Sequence, residues 1–145
     1  MILVLPYRAK HLDLIDIDPH QAQFGRFLTP AVAASLEGPF AWTGVKNGAV
    51  LGCVGLQKKW LDHYVAWAVF SRRAGAHMLE VVRTVKGRLP FLPGGRIEAA
   101  AACDSPGDRK FLELLGFELE AARMRRYSPD GRDFALYALV KEPSQ

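Results

Sequence analysis

Two apolar stretches joined by a helical pattern constrain the fold of this chain more than any other feature. The run His63–Phe70 is apolar on both sides of its alternation, which is typical of a central strand covered on both faces. Apolar residues then recur at helical spacing from Met78 to Leu89, and an alanine-rich, strand-like run, Arg96–Cys103, follows. The helical preference of alanine opposes the second strand prediction. Because a strand–helix–strand crossover joins parallel neighbours, the two runs predict a parallel pair within a sheet.

The other predicted strands are joined by short polar turns. Asn47-Gly48 stands between two apolar runs and is a strong hairpin signal, because both residues tolerate positive φ. Ser128-Pro129-Asp130-Gly131 predicts a second turn before the last strand. The remaining predicted strands are Ile2–Tyr7, Phe40–Val45, Ala49–Gln57, a strand beginning at Phe117, and Phe134–Val140.

Three further helices are predicted from their ends. A short helix over His11–Ile17 ends near Pro19, and a second begins at Thr29-Pro30 and ends at a left-handed Gly38. The last helix lies within Ser105–Phe117. The element order β-α-α-β-β-β-α-β-α-β-β predicts an α/β (mixed α+β) fold. Its central mixed sheet has strands four and five parallel and helices on both faces.

Length and composition fit one folded domain. The 145 residues are 50% hydrophobic and 23% charged, which excludes a disordered chain, since disorder needs few apolar residues and a high net charge. The longest apolar run, Tyr64–Phe70, is far shorter than the roughly 20 residues that cross a bilayer. The first residues carry no basic stretch and no cleavage site of a signal peptide. We therefore expect one domain over residues 1–145, in the cytoplasm and without membrane contact.

The cysteines and histidines do not indicate a metal site. Cys53 and Cys103 lack the spacing of zinc ligands, and in a reducing compartment two cysteines are more often buried thiols than a disulfide. The four histidines show no ligand pattern either, so no metal is expected. The formal net charge of +4 favours acidic partners such as phosphates.

Residues Ser105–Phe117 carry the most specific signal in the chain. The segment opens with the Ser-x-x-Asp pattern of a helix start and closes with Leu-Gly-Phe. It resembles the fourth helix of the GNAT superfamily of N-acetyltransferases, whose signature ends in Leu-Gly-Phe. Glu118–Leu139 is similar to the last two strands of that superfamily, and the predicted element order matches it over essentially the whole chain. The short length and degenerate motifs look most like the small GNAT-like proteins of tailed bacteriophages and prophages.

The resemblance implies a cosubstrate and a reaction. It implies that the parallel strands part at their carboxyl ends, that acetyl-CoA binds there, and that an acetyl group passes to an amine of unknown identity. The superfamily's pyrophosphate pattern is Arg or Gln, two residues, Gly, one residue, then Gly or Ala. It falls on Arg72–His77, directly after strand four.

The residues themselves also favour an anion at this place. A helix N-terminus offers free amides and a positive dipole end, and two arginines add charge. The alternative is that these arginines belong to a solvated turn. The predicted cofactor-binding residues are Phe70, Arg72, Arg73, Gly75, Ala76, His77 and Ser105.

Three positions depart from the superfamily's pattern. His77 stands where a small residue is expected, and its bulk works against phosphate binding or helix packing. Leu112 stands where many members have a tyrosine as general acid; leucine cannot give a proton, but it fits the packing of a helix end against Phe117. Ser105 stands where an asparagine often contacts the coenzyme, and as a helix N-cap it needs no ligand.

No catalytic residue can be named from the sequence. Glu98, His63 and Tyr127 can titrate, but each is also explained as a structural or exposed group. We expect amides of strand four and a base acting through water to carry the transfer. Trp60 and Trp67 are expected in the core or on a partner-facing surface.

The sequence is compatible with two other functions. The substitutions at Leu112 and His77 fit a catalytically inert GNAT-like module, used as a phage structural or host-interaction protein in the host cytoplasm or the virion. The arginines near the last hairpin fit a nucleic-acid contact, although strand alternation divides them between two faces. They are Arg123, Arg125, Arg126 and Arg132. A homodimer formed through a sheet edge is a further expectation.

Overall fold

The computed structural model of the protein describes residues 1–17 and 28–141. These residues form seven strands, β1 (Leu3–Pro6), β2 (Ala41–Lys46), β3 (Ala49–Trp60), β4 (His63–Phe70), β5 (Gly95–Ala102), β6 (Glu118–Met124) and β7 (Phe134–Lys141). They also form three α-helices, α1 (Pro30–Ser35), α2 (Met78–Arg88) and α3 (Pro106–Leu114). Short 3-10 helices cover Ala9–Leu14, Arg72–His77 and Leu89–Phe91.

The sheet has the strand order β1-β2-β3-β4-β5-β7-β6. β4 and β5 are parallel, whereas the pairs β1/β2, β2/β3, β5/β7 and β6/β7 are antiparallel. The predicted mixed fold with strands four and five parallel is therefore confirmed. None of the helices in the described ranges is long and apolar enough to cross a membrane.

The chain is organised in two compact units. Unit 1 comprises Met1–Gln57 and Ala66–Thr84, and unit 2 comprises Lys58–Val65 and Val85–Gln145. A buried cluster in unit 1 consists of Tyr7, Ile15, Leu36, Ala41, Cys53 and Val69. The hydroxyl of Tyr7 donates to the carbonyl of Ala33 at 2.8 Å, and burial raises the pKa of Tyr7 to about 12. Tyr7 therefore stays protonated and tied to α1.

The β2–β3 hairpin of unit 1 turns at Asn47-Gly48, as predicted. Both residues have positive φ, 52° for Asn47 and 78° for Gly48, which matches the twist of the two strands. Gly44 pairs with Gly52 further along the hairpin. A Cβ added to Gly52 would lie 2.7 Å from Phe70 Cδ1 and 2.8 Å from the Val69 carbonyl oxygen. The absence of a side chain at Gly52 thus allows the end of β4 to approach β3.

The alanine-rich strand β5 of unit 2 confirms the strand prediction against the helical preference of alanine. It pairs with β7 from Gly95–Lys141 to Ala102–Phe134. Ala99 is 5% exposed and pairs with Tyr137, whose side chain is fully buried. Small side chains on β5 leave room for large neighbours on β7, so packing decides the local structure here.

Helix α3 ends as its sequence predicts. Gly116 has a left-handed φ of 96°; its amide donates to the Glu113 carbonyl and the amide of Phe117 donates to the Leu112 carbonyl, both at 3.0 Å. These two bonds form a Schellman motif.

The first two helices differ in part from prediction. The first is a 3-10 helix, Ala9–Leu14, rather than a helix over His11–Ile17, and its predicted end near Pro19 lies outside the described residues. Helix α1 begins as predicted, with Thr29 Oγ1 accepting a hydrogen bond from the Val32 amide at 3.2 Å.

The predicted end of α1 is wrong. The helix ends at Ser35, and its capping residue, Leu36, is right-handed and donates to the carbonyls of Ala33 and Ala34. Gly38 does not have the positive φ that was expected of it. The chain therefore leaves the helix before reaching this glycine.

Candidate functional site

The basic turn of unit 1, residues Arg72–His77, begins one residue after β4. Ser71, 2% exposed, precedes it and anchors it: its amide donates to the Leu51 carbonyl of β3 at 2.8 Å. Ser71 Oγ accepts from the Arg73 amide at 3.0 Å, and the Ser71 carbonyl accepts from the Ala74 amide at 3.0 Å. A buried serine thus caps the turn and fixes its direction.

The first amides of the basic turn already have acceptors in the protein. The Arg72 amide donates to the Asp16 carbonyl at 2.8 Å, and the amides of Arg73 and Ala74 are held by Ser71. From the sequence, such amides were expected to be free for an anion. In this structure an anion would therefore have to bind the side chains of the turn or its later part.

Those side chains carry positive charge into solvent. Arg72 and Arg73 are exposed, and His77, the residue immediately before α2, is half-buried. Arg72 Nε lies 3.2 Å from Asp16 Oδ1, with the side chains 59% and 73% exposed. Arg73 makes no ion pair among the described residues. Of the two arginines in the turn, Arg73 is thus the one whose guanidinium is not engaged by a carboxylate in the part of the chain that the structure describes.

Gly75 and Ala76 give the turn an open surface. Both are exposed, and a Cβ added to Gly75 would meet no atom within 4 Å. Gly75 has no positive φ either, so neither the backbone conformation nor packing requires glycine at this position. The space beside it can accept a ligand.

Ser105 lies in unit 2, apart in sequence from the other predicted site residues. It is 5% exposed, its amide donates to the Ala102 carbonyl, and its carbonyl accepts from the Arg109 amide. Ser105 is the N-cap residue of α3, as predicted, but its side chain makes no capping hydrogen bond. The structure brings Phe70 and the basic turn together along one segment, whereas Ser105 belongs to a different unit.

The candidate titratable groups on β4 and β5 form an ion-pair cluster in unit 2. Arg96 Nε donates to Glu98 Oε1 at 2.8 Å, and its two terminal nitrogens donate to both carboxylate oxygens of Glu120. His63 Nε2 lies 2.9 Å from the same Glu98 oxygen but is not aligned for a hydrogen bond. Hydrogen bonding from Arg96 holds the pKa of Glu98 below its ordinary value. Glu98 is thus held as a carboxylate by its neighbours.

This cluster lies where β4 and β5 pair. Their described ladder has three residue pairs, from His63–Arg96 to Val65–Glu98. Each strand continues beyond this ladder, β4 to Phe70 and β5 to Ala102. The divergence of the two strands expected from the resemblance stays a prediction.

The arginines near the last hairpin are partly neutralised. Arg123 Nε donates to Asp133 Oδ2 at 2.6 Å, and Arg132 donates to Asp104 Oδ1 at 2.7 Å. The Arg126 amide also donates to Asp133. Because two of the four guanidinium groups are paired with carboxylates, the cluster offers less free charge to a nucleic acid than its arginine count suggests.

Each of the two tryptophans packs against a ring of its own unit. Trp60 is 60% exposed and lies edge-on to His63, with ring centroids 5.1 Å apart. Trp67 packs edge-on against Tyr7 at 5.0 Å, beside the core of unit 1. Tyr127 is 54% exposed and packs against Phe134.

Two interactions are not predicted by the sequence patterns considered above. One is the contact of Asp16 with Arg72, which no local pattern signals because 56 positions separate the residues. The other is a pair of hydrogen bonds to the hydroxyl of Tyr137, which accepts from Arg109 Nε at 3.2 Å and donates to Glu113 Oε2 at 3.1 Å. The i, i+4 spacing of Arg109 and Glu113 on α3 was a usable signal.

The residues in the described ranges contain no group of three or more His, Cys, Asp or Glu side chains placed to hold a metal ion.

Solved structures share this fold. An acetyltransferase of the GNAT family from Bacillus anthracis is 17% identical, with a TM-score of 0.65 over 96% of this chain and 94% of that one. An N-acetyltransferase from Staphylococcus aureus Mu50 is 11% identical, with a TM-score of 0.71 over 97% of each chain. The ribosomal-protein-S18-alanine N-acetyltransferase from Escherichia coli is 15% identical, with a TM-score of 0.65 over 100% of this chain and 97% of that one.

These likenesses show that the fold is that of the GNAT acetyltransferases. No protein-family model and no curated protein sequence matches the chain. At identities of 11–17% the shared property is the fold, and the narrower resemblance to bacteriophage proteins stays a prediction.

Proposed function

We propose that this protein is an acyl-CoA-dependent N-acyltransferase that moves an acetyl group from acetyl-CoA to an amine. The observation that supports this most is the place of the basic turn: Arg72–His77 follows β4, the parallel partner of β5, in a sheet shared with GNAT acetyltransferases. The acceptor is an amine of unspecified structure.

The side chains of the basic turn would hold the diphosphate of coenzyme A. Arg73 is exposed and supplies a fork of donors that matches phosphate geometry, and the open surface at Gly75 lets the diphosphate approach the backbone. Arg72 adds charge but shares it with Asp16. This differs from binding by helix amides alone, since the amides of Arg72–Ala74 are engaged.

Acetyl-CoA would bring the reactive thioester, and the protein must then orient it and accept a proton from the amine. Glu98 is poorly suited as the base, because a pKa lowered by Arg96 weakens its pull on an ammonium proton. Leu112 cannot protonate the departing sulfur. We propose that β4 amides orient the carbonyl and that water relays both protons, with no side chain of the described residues as the direct acid or base.

The location and the oligomeric state of the protein are part of the same proposal. The protein would work in the cytoplasm as one GNAT-like domain, alone or as a homodimer. The inert phage module, which the residues at Leu112 and His77 would also fit, is the opposite outcome of the experiment below.

Isothermal titration of the protein with acetyl-CoA and with CoA tests the proposal. We expect saturable binding of both ligands, followed by release of CoA when a panel of primary amines is added to the acetyl-CoA complex. Absence of binding at millimolar ligand would exclude the proposed enzymatic function. Binding without CoA release from any amine would leave a CoA-binding module.

A further inference from the structure

We propose that Asp16 limits the affinity of the basic turn for an anion by competing with that anion for Arg72. The identity of the anion, the diphosphate of coenzyme A, rests on the proposed function. The competition itself rests on the contacts that Asp16 and Ile17 make with Arg72 and Ser71.

Asp16 holds Arg72 through two separate groups. Its carbonyl accepts the Arg72 amide at 2.8 Å, and its carboxylate oxygen Oδ1 accepts from Arg72 Nε at 3.2 Å. Ile17 adds an antiparallel bridge to Ser71. The backbone contacts alone can keep the two segments attached. The carboxylate is therefore not required for that attachment.

The carboxylate opposes a bound anion directly. It occupies one guanidinium donor of Arg72 and places a negative charge beside the turn, where a diphosphate would be repelled. Both side chains are more than half exposed, and an exposed ion pair of this kind contributes little to stability. An incoming diphosphate can therefore displace Asp16 from Arg72, but its affinity is reduced by the strength of that pair.

The variant Asp16→Asn tests the competition. It keeps the carbonyl and the side-chain shape and removes the charge. We expect the dissociation constant for CoA to fall about twofold to fivefold at low ionic strength, and the gain to shrink as salt is added. Pantetheine, which lacks the diphosphate, should bind the variant and the unaltered protein equally.

Asp13→Asn is the matched control, because Asp13 is an exposed carboxylate on the 3-10 helix Ala9–Leu14 and its removal changes the net charge equally. It should leave the CoA affinity unchanged. In an Arg72→Gln background, Asp16→Asn should raise the CoA affinity clearly less, since the competition for Arg72 is lost and only the direct repulsion by the carboxylate remains.

The outcomes separate the two proposals. If the unaltered protein binds no CoA, the proposed function fails and this inference fails with it. If CoA binds but Asp16→Asn leaves the affinity unchanged or lowers it, only this inference is overturned. An equal gain for pantetheine, or an undiminished gain in the Arg72→Gln background, also overturns it.

Discussion

The backbone amide of Phe117 donates a 3.0 Å hydrogen bond to the carbonyl of Leu112 across the left-handed Gly116. The bond satisfies a carbonyl that the end of α3 would otherwise leave without a partner. Leu112 stands where the resemblance places a general acid. Its backbone carbonyl closes the helix, whereas its side chain has no proton to give.

Replacing Gly116 by alanine should destabilise the protein by about 1–2 kcal/mol, because L residues rarely adopt a φ of 96°. Gly87→Ala is the control: an added Cβ in α2 meets no atom within 4 Å, and alanine there should stabilise by about 0.5–1 kcal/mol. Urea unfolding followed by circular dichroism measures both free energies. Equal changes would contradict the left-handed helix end.

A paired test concerns the hairpin that supports the end of β4. Gly52→Ala should cost about 1–3 kcal/mol, because its Cβ would lie 2.8 Å from the rigid Val69 carbonyl oxygen. Its pairing partner Gly44 would place a Cβ 3.2 Å from the side chain of Ile2, which can move, so Gly44→Ala should cost less. Thermal unfolding compares the two variants, and a larger loss at Gly44 would show that β4 does not approach β3 at Gly52.

The two thiols should differ in reactivity. Cys53 is fully buried, and burial raises its pKa to about 11 against the opposing hydrogen bond with Thr43, whereas Cys103 is half-exposed. Since the thiolate is the reactive form, Ellman's reagent at pH 8 should modify one thiol in the native protein and the second only after unfolding. Cys103→Ser should abolish the native reaction. A native reaction that survives this change would place Cys53 within reach of solvent.

The ion pair of Glu98 with Arg96 should make stability depend on pH. The folded pKa of Glu98 lies below its ordinary value of 4.5, so the unfolded chain binds more protons and the stabilisation is complete only above that pH. Glu98→Gln should lower the free energy of unfolding by about 1 kcal/mol at pH 7. The difference in this free energy between the variant and the unaltered protein should become smaller as pH falls below 4.5.

The control for this ion pair is Glu118→Gln, an exposed carboxylate on β6. It should change the free energy of unfolding little at any pH. Denaturant unfolding from pH 3 to 7 measures all three proteins. If the difference in free energy of unfolding between Glu98→Gln and the unaltered protein stays constant across this range, the charge of Glu98 does not contribute to stability.

Local patterns predicted the parts of the fold that local chemistry determines. The turn at Asn47-Gly48 and the helix end at Gly116 follow from backbone freedom, and the parallel pair of β4 and β5 follows from the crossover between them. For the candidate site, the sequence predicted which residues form the turn but not the residues that contact it. The acceptors that engage its first amides come from Asp16 and Ser71, and the Asp16 contact crosses 56 positions that no periodicity connects.

The central claim, that the basic turn holds the diphosphate of coenzyme A, is tested most directly by titrating CoA into Arg73→Gln and into Arg83→Gln. Both remove one exposed arginine charge, but Arg83 lies on α2 outside the turn. A lost charged hydrogen bond to phosphate predicts roughly tenfold weaker binding for Arg73→Gln and unchanged binding for Arg83→Gln. Equal affinities of the two variants would contradict the account.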